Sequence, residues 1–362
     1  MLRPLARTTL RRQLGSALVR KDLRKKYAEM AKGPFPFLRA TYYLWAEEIL
    51  NVCPELAGAP PVVAVGDIHL ENFGTWRDND GRLIWGVNDF DEAAEMPYAL
   101  DLVRLGVSAV LGCPHIRSTR AISDSILRGY ERGLDESRPI VLDHQYKWLR
   151  DLVVVPNKER AGFWEKMEKL TKPPKKRTKK PSKKPSRDYI SALAGAMPAP
   201  TRDVKYGART GAGLGSLGRP RWVGIAQWRG GPVVREAKAA LPSAWTLPSG
   251  RRKQPIYCAK IATGRHRAPD PWFRLVGHIV VRRLSPNNRK LDAAEYPLNL
   301  TNKKMLRLMG RELGAVHAGL DDRRGAVKHD FDARDPDWLH SAIERAAKFI
   351  RDEHGEWRKS RR

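Results

Sequence analysis

The sequence predicts an α+β fold in which a helical part with one acidic hairpin precedes a basic linker, a β-rich part and further helices. Helical periodicity dominates before residue 170 and returns after residue 300. Between 203 and 283 the residues alternate in polarity and are rich in Gly, Val, Ile and Trp, as in an antiparallel sheet. The 362 residues are enough for two modest domains or one two-lobed domain.

The elements follow from local patterns. Residues 37–50 carry the apolar stripe of a helix, and Pro54 ends it. The run 62–65 predicts a short buried strand, and 81–93 predicts a turn, a strand and an acidic loop. Further helices are expected over 98–112, 116–133, 142–152, 158–170, 301–319 and 336–357. We expect four segments: a helical lobe over 1–170, a linker over 171–200, a β-rich nucleotide-binding lobe over 201–290, and C-terminal helices over 291–362.

The net charge of +28 is partly local. The stretch 171–187, "TKPPKKRTKKPSKKPSR", has nine Lys or Arg residues and no acid. Its Pro-rich, low-complexity composition predicts an extended, solvated linker. It is either a basic insert between domains or a weak tether for nucleic acid or another polyanion, held by counterion release.

No apolar run approaches the roughly 20 residues that a membrane span needs, so we expect no membrane span and a cytoplasmic location. Cys53, Cys113 and Cys258 are far apart and follow no ligand spacing, which predicts free thiols in a reducing compartment. The Arg-rich N-terminus lacks the apolar segment of a secretory signal. It could pass for a mitochondrial presequence, but a basic helix is the plainer interpretation.

Acidic residues concentrate between 66 and 101, where only Arg77 and Arg82 oppose them. The nine acids are Asp67, Glu71, Asp78, Asp80, Asp89, Asp91, Glu92, Glu95 and Asp101. Grouped carboxylates repel one another unless they bind a cation or stay exposed. Because two of the clusters follow apolar strands, the sequence predicts an oxygen-ligand site of the kind that suits Mg²⁺.

The loop "VAVGDIHLENFG" (63–74) suggests phosphoryl transfer. Asp67 and Asn72 have the D-x-x-x-x-N spacing of a kinase catalytic loop, in which the Asp positions or deprotonates the acceptor hydroxyl and the Asn binds metal. A hairpin strand then leads to "NDFD", which places Asp89 in the position of a second metal ligand, 17 residues after Asn72. This spacing predicts ATP and Mg²⁺ as cofactors.

Other interpretations of these residues stay open. Asp67-x-His69 also begins a dinuclear phosphohydrolase site, but the chain lacks the Asn-His dipeptide that such sites use. Asp67 alone could simply be a polar strand end. His69 could contact substrate, lie behind the metal ligands, or hydrogen-bond backbone only. Asp91 could contact a second metal or be solvated.

A glycine-rich segment, "GAGLGSLG" (211–218), places Gly213, Gly215 and Gly218 in G-x-G-x-x-G, with Ser216 among them. A dinucleotide fold requires a helix directly afterwards, whereas the chain continues with a β-like pattern. A β-hairpin loop that closes over phosphates fits better, and a plain glycine turn is the alternative.

A phosphate-binding Lys is expected on the next strand, and Lys238 follows Gly218 by 20 residues. Arg235 competes for this role, but strand alternation puts Glu236 and Lys238 on one face and Arg235 on the other. Kinases have the glycine loop before the catalytic loop, and this chain has it after. The sequence therefore predicts a protein-kinase-like two-lobed fold that is circularly permuted, which close termini permit.

The chain resembles the bacterial family called domain of unknown function 2252, which in turn looks related to kinase-like and aminoglycoside-phosphotransferase-like folds. The stretches that carry the resemblance are "MAKGPFPFLRA" (30–40), "VGDIHLENFGTW" (65–76), "VNDFDEAAEMPYALDLVRLGVS" (87–108), "GAGLGSLG" (211–218), "REAKAALPSAW" (235–245), "VRRLSP" (281–286) and "LGAVHA" (313–318).

The resemblance implies that Asp67 is the catalytic Asp, that Asn72 and Asp89 bind metal, that Lys238 binds phosphate, and that Asp101 holds the catalytic loop. Two positions depart from the pattern. Val65 stands where kinases have His, and Ala239 stands where a Glu is expected, which leaves Lys238 without an evident acidic partner.

Two functions follow as hypotheses. The first is a Mg²⁺- and ATP-dependent phosphotransferase that acts on an unidentified acceptor. The second is a degenerate protein that binds a nucleotide or a polyanion and relies on its basic linker. A metal-dependent phosphohydrolase using Asp67, His69 and Asp89 is a third alternative.

Overall fold

A computed structural model describes residues 14–114, 116–172, 184–210, 213–249, 255–319 and 322–361. It confirms the α+β prediction, since helices and three antiparallel sheets make up the fold. Most of the basic segment 171–187, and with it the predicted polyanion tether, lies outside the described residues, as do residues 1–13. Among the described helices, none has both the length and the apolarity needed to cross a bilayer.

Three helices open the described chain: α1 (Arg20–Met30), α2 (Pro34–Ala40) and α3 (Tyr42–Val52). The single helix expected over 37–50 is wrong, because the chain leaves helical geometry at Thr41. The Thr41 hydroxyl donates to the Phe37 carbonyl at 2.7 Å. Such side-chain bonds to the preceding turn compete with regular helix geometry.

The acidic segment forms two small sheets. Strands β1 (Pro61–Ala64) and β4 (Ala94–Pro97) pair with each other, as the strand prediction at 62–65 requires. Between them, β2 (Phe73–Arg77) and β3 (Leu83–Val87) form a hairpin. The short strand β5 (Ile140–Val141) extends this hairpin. The sequence loops 65–72 and 88–93 therefore begin and end in paired strands that fix their positions.

Four helices come next, and the last of them packs on two strands of the larger sheet described below. The predicted helices at 98–112 and 116–133 are α4 (Ala99–Gly112) and α5 (Thr119–Asp135). Next come α6 (Lys147–Leu152), which begins five residues later than predicted, and α7 (Asn157–Thr171). Helix α4 is buried along almost its whole length, so it anchors the core on which the acidic loops rest.

A five-stranded antiparallel sheet with the order β6-β7-β8-β10-β9 follows. Its strands are β6 (Arg202–Ala208), β7 (Arg221–Trp228), β8 (Gly231–Ala239), β9 (Arg274–Val276) and β10 (Ile279–Leu284). Helix α8 (Arg187–Gly195) precedes the sheet, and α9 (Cys258–Ala262) lies between β8 and β9. The β-rich prediction over 203–283 is confirmed in outline. Helix α8 lies inside the predicted linker, where short apolar residues in 189–194 give it a buried face.

The chain ends in four helices: α10 (Pro297–Leu300), α11 (Lys303–Ala318), α12 (Arg324–Ala333) and α13 (Trp338–Lys359). Helices α11 and α13 match the predicted ranges within two residues, whereas α12 was not predicted. Helix α11 packs closely along α5, and α13 packs on α4 and α5. Cys53, Cys113 and Cys258 are buried free thiols, as the spacing predicted.

Candidate active site

A cleft lies between the acidic loops and the glycine-rich loop. Its lining includes eight of the ten residues that the sequence singled out: Asp67, His69, Asn72, Asp89, Asp91, Gly213, Gly215 and Ser216. Lys238 does not line the cavity, but its ammonium group contacts two of the acids that do. Gly218 lies apart from the cavity, where its carbonyl accepts a hydrogen bond from the Val19 backbone at 2.9 Å.

The backbone before Asp67 is fixed by one carboxylate. Asp101, fully buried at the start of α4, accepts hydrogen bonds from the backbone N–H groups of Val65 (2.7 Å) and Gly66 (2.9 Å). Gly66 has φ +80°, and a Cβ there would lie 2.3 Å from the Glu92 carbonyl oxygen. The structure thus gives Asp101 the loop-holding position that the family resemblance implied.

His317 of α11 completes this buried network. Its Nε2 lies 3.1 Å from Asp101 Oδ2, and its Nδ1 lies 2.9 Å from the Tyr130 hydroxyl. Both ring nitrogens therefore have partners within the core, as expected for a histidine on the apolar face of its helix.

Asp67 points from this loop into the cleft. Its Oδ1 accepts a 2.5 Å hydrogen bond from Arg104 Nη2, and the same nitrogen donates to the Leu38 carbonyl at 3.0 Å. Burial raises the pKa of Asp67 to about 6, although Arg104 acts to lower it. Asp67 is therefore mostly ionised at neutral pH, with a proton affinity higher than that of an exposed aspartate.

Asn72 ends the same loop in a short 3-10 turn, Leu70–Asn72. Its side-chain Nδ2 donates to the Asp67 carbonyl at 2.6 Å, and its own carbonyl accepts from the Asn88 backbone at 3.1 Å. Because Nδ2 donates to the Asp67 carbonyl, Oδ1 is the side-chain atom of Asn72 that can bind a cation. The second bond ties the loop to the residue that precedes Asp89.

Asp89 and Asp91 share one cation. Lys238 Nζ lies 2.5 Å from Asp91 Oδ2 and 3.5 Å from Asp89 Oδ1, and the Lys238 side chain is almost completely buried. Burial alone would raise the pKa of Asp89, but Lys238 and other nearby cations hold it below its usual value. The expectation that Lys238 lacks an acidic partner is wrong, because Asp91 takes that place from a distant part of the chain.

Arg235 is excluded as the cation that faces the acids. Its Nε donates to the Ala196 carbonyl at 2.8 Å, and its guanidinium lies over the Trp272 ring at 4.3 Å. Glu236, on the same face as Lys238, is bound by a set of arginines, namely Arg209, Arg221 and Arg282. The alternation in β8 therefore places Lys238, not Arg235, against Asp89 and Asp91.

Asp91 and Glu92 are not solvated carboxylates. Arg219 Nη2 lies 2.6 Å from Glu92 Oε1, and Arg219 Nη1 lies 3.6 Å from Asp91 Oδ2. Glu92 Oε2 also accepts from the Ala244 backbone at 2.7 Å. The interpretation of Asp91 as a solvated residue is therefore wrong, since both acids are held by cations from the β-rich part of the chain.

The glycine-rich loop lies directly against Asp67. A Cβ atom at Gly215 would be 2.9 Å from Asp67 Oδ2 and 3.3 Å from the Arg39 carbonyl oxygen. Only a glycine permits this approach without displacing the carboxylate. Gly213 adopts φ +73°, a left-handed conformation that favours glycine. Ser216 accepts a 2.5 Å hydrogen bond from Arg221 Nη2, which anchors the loop to β7.

His69 and Arg39 line the opposite wall. His69 Nδ1 accepts a hydrogen bond from the Glu71 backbone at 3.2 Å, so the histidine caps its own loop. Burial, with the charge of Arg39, lowers the pKa of His69 well below its usual value, which leaves it neutral. Arg39 Nη1 lies 2.5 Å from Glu71 Oε2, so Arg39 forms a salt bridge to the acidic hairpin.

The donor atoms fit one hard cation with few protein ligands. Asn72 and Asp89 both line the cleft, and Mg²⁺ commonly takes one or two protein oxygens and completes its shell with water and phosphate. A larger all-protein site is not present in the parts of the chain that are described, where no three His, Cys, Asp or Glu residues group as metal ligands.

Three site residues escaped the sequence analysis: Arg104, Arg219 and Lys26. Arg104 is a lone arginine in the apolar helix α4, stacked over Tyr42 and Trp45 at 4.9 Å each. That isolated charge among apolar residues was the available signal. Arg219 directly follows the glycine loop, and Lys26 lies on the buried face of α1.

Comparison with known proteins supports the family resemblance over part of the chain. No curated protein and no solved structure matches this sequence. Residues 18–194, which contain the loop 65–72, the acidic hairpin and Asp101, match the model of a family described as an uncharacterized protein conserved in bacteria, DUF2252.

Proposed function

We propose that this protein is a Mg²⁺- and ATP-dependent phosphotransferase with a kinase-like, circularly permuted arrangement of its parts. One observation carries the proposal: Asp67, Asn72 and Asp89 line one cleft with the glycine-rich loop, and Lys238 contacts Asp89 from behind it. These groups come from positions up to 171 residues apart, counted from Asp67 to Lys238. A polar strand end would not require their convergence.

Each group has a role suited to phosphoryl transfer. Asp67 Oδ2 faces the glycine loop while Oδ1 is held by Arg104, so one oxygen is positioned to accept a proton from an acceptor hydroxyl. Lys238 offers an ammonium group to the phosphates of the nucleotide. Bound through Asn72 and Asp89, Mg²⁺ would neutralise charge on those phosphates. Catalysis would rest on positioning and electrostatics.

A second cavity could accept the nucleoside. It adjoins the cleft, since Lys290 lines both cavities. Its walls include the hairpin residues Thr75 and Val87 and the aromatic side chains of Phe90 and Phe273. Arg267 lies over the Phe90 ring at 5.0 Å. Aromatic and guanidinium planes of this kind suit a nucleobase, which stacks on either.

The test is thermal unfolding with and without ATP and Mg²⁺. A ligand that binds only the folded state raises the midpoint, and at about 100 times its Kd it contributes about 2.7 kcal/mol. We expect a rise of several degrees that needs both ATP and Mg²⁺ and that is largely lost in Asp89→Asn. Asp80→Asn is the matched control, because Asp80 is exposed in the same acidic segment but outside the cleft.

No midpoint shift at millimolar ATP and Mg²⁺ would overturn the proposal. A shift that Asp89→Asn leaves intact would place the nucleotide elsewhere. The degenerate alternative predicts binding of nucleotide without transfer of phosphate to any acceptor. The phosphohydrolase alternative lacks support, because no larger cluster of metal-binding side chains exists among the described residues.

A further inference from the structure

A buried lysine, Lys26, lines the cleft. Lys26 of α1 is only 3% exposed and lines the cavity beside Asp67, Glu92 and Arg219. Within the described parts of the chain, no hydrogen bond or ion pair reaches Lys26. Buried charges in proteins are normally paired, because an unpaired one loses its hydration without compensation. Its position therefore requires an explanation.

Packing does not explain Lys26. The buried residues of α1 are Asp22, Leu23, Lys26 and Met30, and an apolar side chain at position 26 would continue the row of Leu23 and Met30. The helix is held close to the glycine-rich loop, because the Val19 backbone donates to the Gly218 carbonyl just before α1 begins. The ammonium group is thus carried to the cleft by a helix that contacts the loop itself.

The two nearby carboxylates form their ion pairs with arginines, although both act to raise the pKa of Lys26. Asp67 is bound by Arg104, and Glu92 is bound by Arg219. Lys26 is therefore not required to pair with either of them. Burial, reinforced by the nearby Arg219, lowers the pKa of Lys26 to about 8, so most of the lysine is still charged at neutral pH.

We propose that Lys26 forms, with the glycine-rich loop, a binding subsite for a phosphate-type anion next to Asp67. The anion is either the terminal phosphate of the nucleotide or an anionic group of the acceptor, and the chemistry of recognition is the same for both. The inference deepens the proposed function, because it gives this end of the cleft a defined ligand. Lys26 would bind and position the anion.

Inorganic phosphate is the probe, titrated at constant ionic strength against sodium chloride. Phosphate should stabilise the wild type, and Lys26→Met should bind it at least about tenfold more weakly, since a hydrogen bond to a charged group is lost. Lys26→Arg should retain most of the affinity. Lys21→Met is the matched control, because Lys21 is an exposed lysine on the same helix.

Loss of binding through misfolding can be recognised. Lys26→Met removes an unpaired buried charge, so its unfolding midpoint without ligand should be no lower than that of the wild type. If the methionine variant does not fold, Lys26→Gln tests the same loss of charge with a polar side chain. Equal phosphate affinity in wild type and Lys26→Met, or no phosphate binding by the wild type, would overturn the proposal.

The source of the anion is decided by repeating the titration with a non-hydrolysable ATP analogue and Mg²⁺. If the analogue abolishes the Lys26-dependent effect of phosphate, a nucleotide phosphate occupies the subsite. If the effect persists, an anionic group of the acceptor occupies it. Failure of the wild type to bind the analogue would overturn the proposed function, while the phosphate titration alone would still decide the role of Lys26.

Discussion

The position of the candidate catalytic loop depends on one buried carboxylate, and Asp101→Asn tests this dependence. The Asp101 carboxylate accepts backbone hydrogen bonds from Val65 at 2.7 Å and Gly66 at 2.9 Å. An asparagine can accept only one of them, and it turns an NH₂ group towards the other N–H. Loss of one buried hydrogen bond to a charged acceptor costs about 1.5–3 kcal/mol.

We therefore expect Asp101→Asn to lower the free energy of unfolding by about 1.5–3 kcal/mol and to weaken the protection by ATP and Mg²⁺. Urea unfolding gives the first quantity, and the ligand-induced midpoint shift gives the second. Asp78→Asn is the control, because Asp78 is also buried and accepts from the backbone of Asp80 and Arg82, but outside the cleft. It should lose stability and keep ligand protection. Equal ligand protection in Asp101→Asn and wild type would refute the reasoning.

Two further predictions concern the cleft. Gly215→Ala places a Cβ 2.9 Å from Asp67 Oδ2, so the loop must move away from the carboxylate. We expect urea unfolding to show a loss of about 1–3 kcal/mol in the free energy of unfolding, together with weaker stabilisation by the nucleotide. Unchanged values of both would contradict this packing. Lys26 has a pKa of about 8 when folded and 10.5 as its ordinary value, so the unfolded chain binds more protons between those pH values and stability rises with pH there. Below pH 8, the free energy of unfolding of Lys26→Met should exceed that of the wild type by up to about 3 kcal/mol. This difference in stability should vanish towards pH 10.5. A difference that does not change with pH would exclude this titration.

Local patterns predicted most of the helices and strands, and one local rule also predicted a site contact. Strand alternation placed Lys238 and Glu236 on one face, and the structure puts Lys238 against Asp89 and Asp91. Alternation is a property of neighbouring residues and needs no knowledge of the rest of the fold. The break at Thr41 escaped the same approach, because both sides of it have helical periodicity and only a side-chain hydrogen bond separates them.

Partners that are distant in sequence could not be predicted. Asp91 and Lys238 are 147 residues apart, and nothing in either neighbourhood specifies the other. The missing Glu at position 239 suggested that Lys238 had no partner, whereas the fold supplies one from the acidic hairpin. Lys26 and Arg104 are similar cases, because a cation in a helix is usually exposed, and only packing shows that these two are buried beside Asp67.

The ion pairs across the cleft also bear on how a ligand could enter it. Lys238 bound to Asp91 and Arg219 bound to Glu92 join the β-rich part to the acidic loops, while Gly215 lies against Asp67. A complex of ATP and Mg²⁺ carries both signs of charge, so its phosphates could replace Asp91 at Lys238 while its metal replaces Lys238 at Asp89. Such an exchange conserves charge pairing, which avoids leaving an unpaired buried ion. Within the described part of the glycine loop, 213–218, no residue hydrogen-bonds the Asp67 carboxylate, which is held by Arg104. These ion pairs are therefore compatible with a nucleotide site in which the ligand exchanges partners with the side chains.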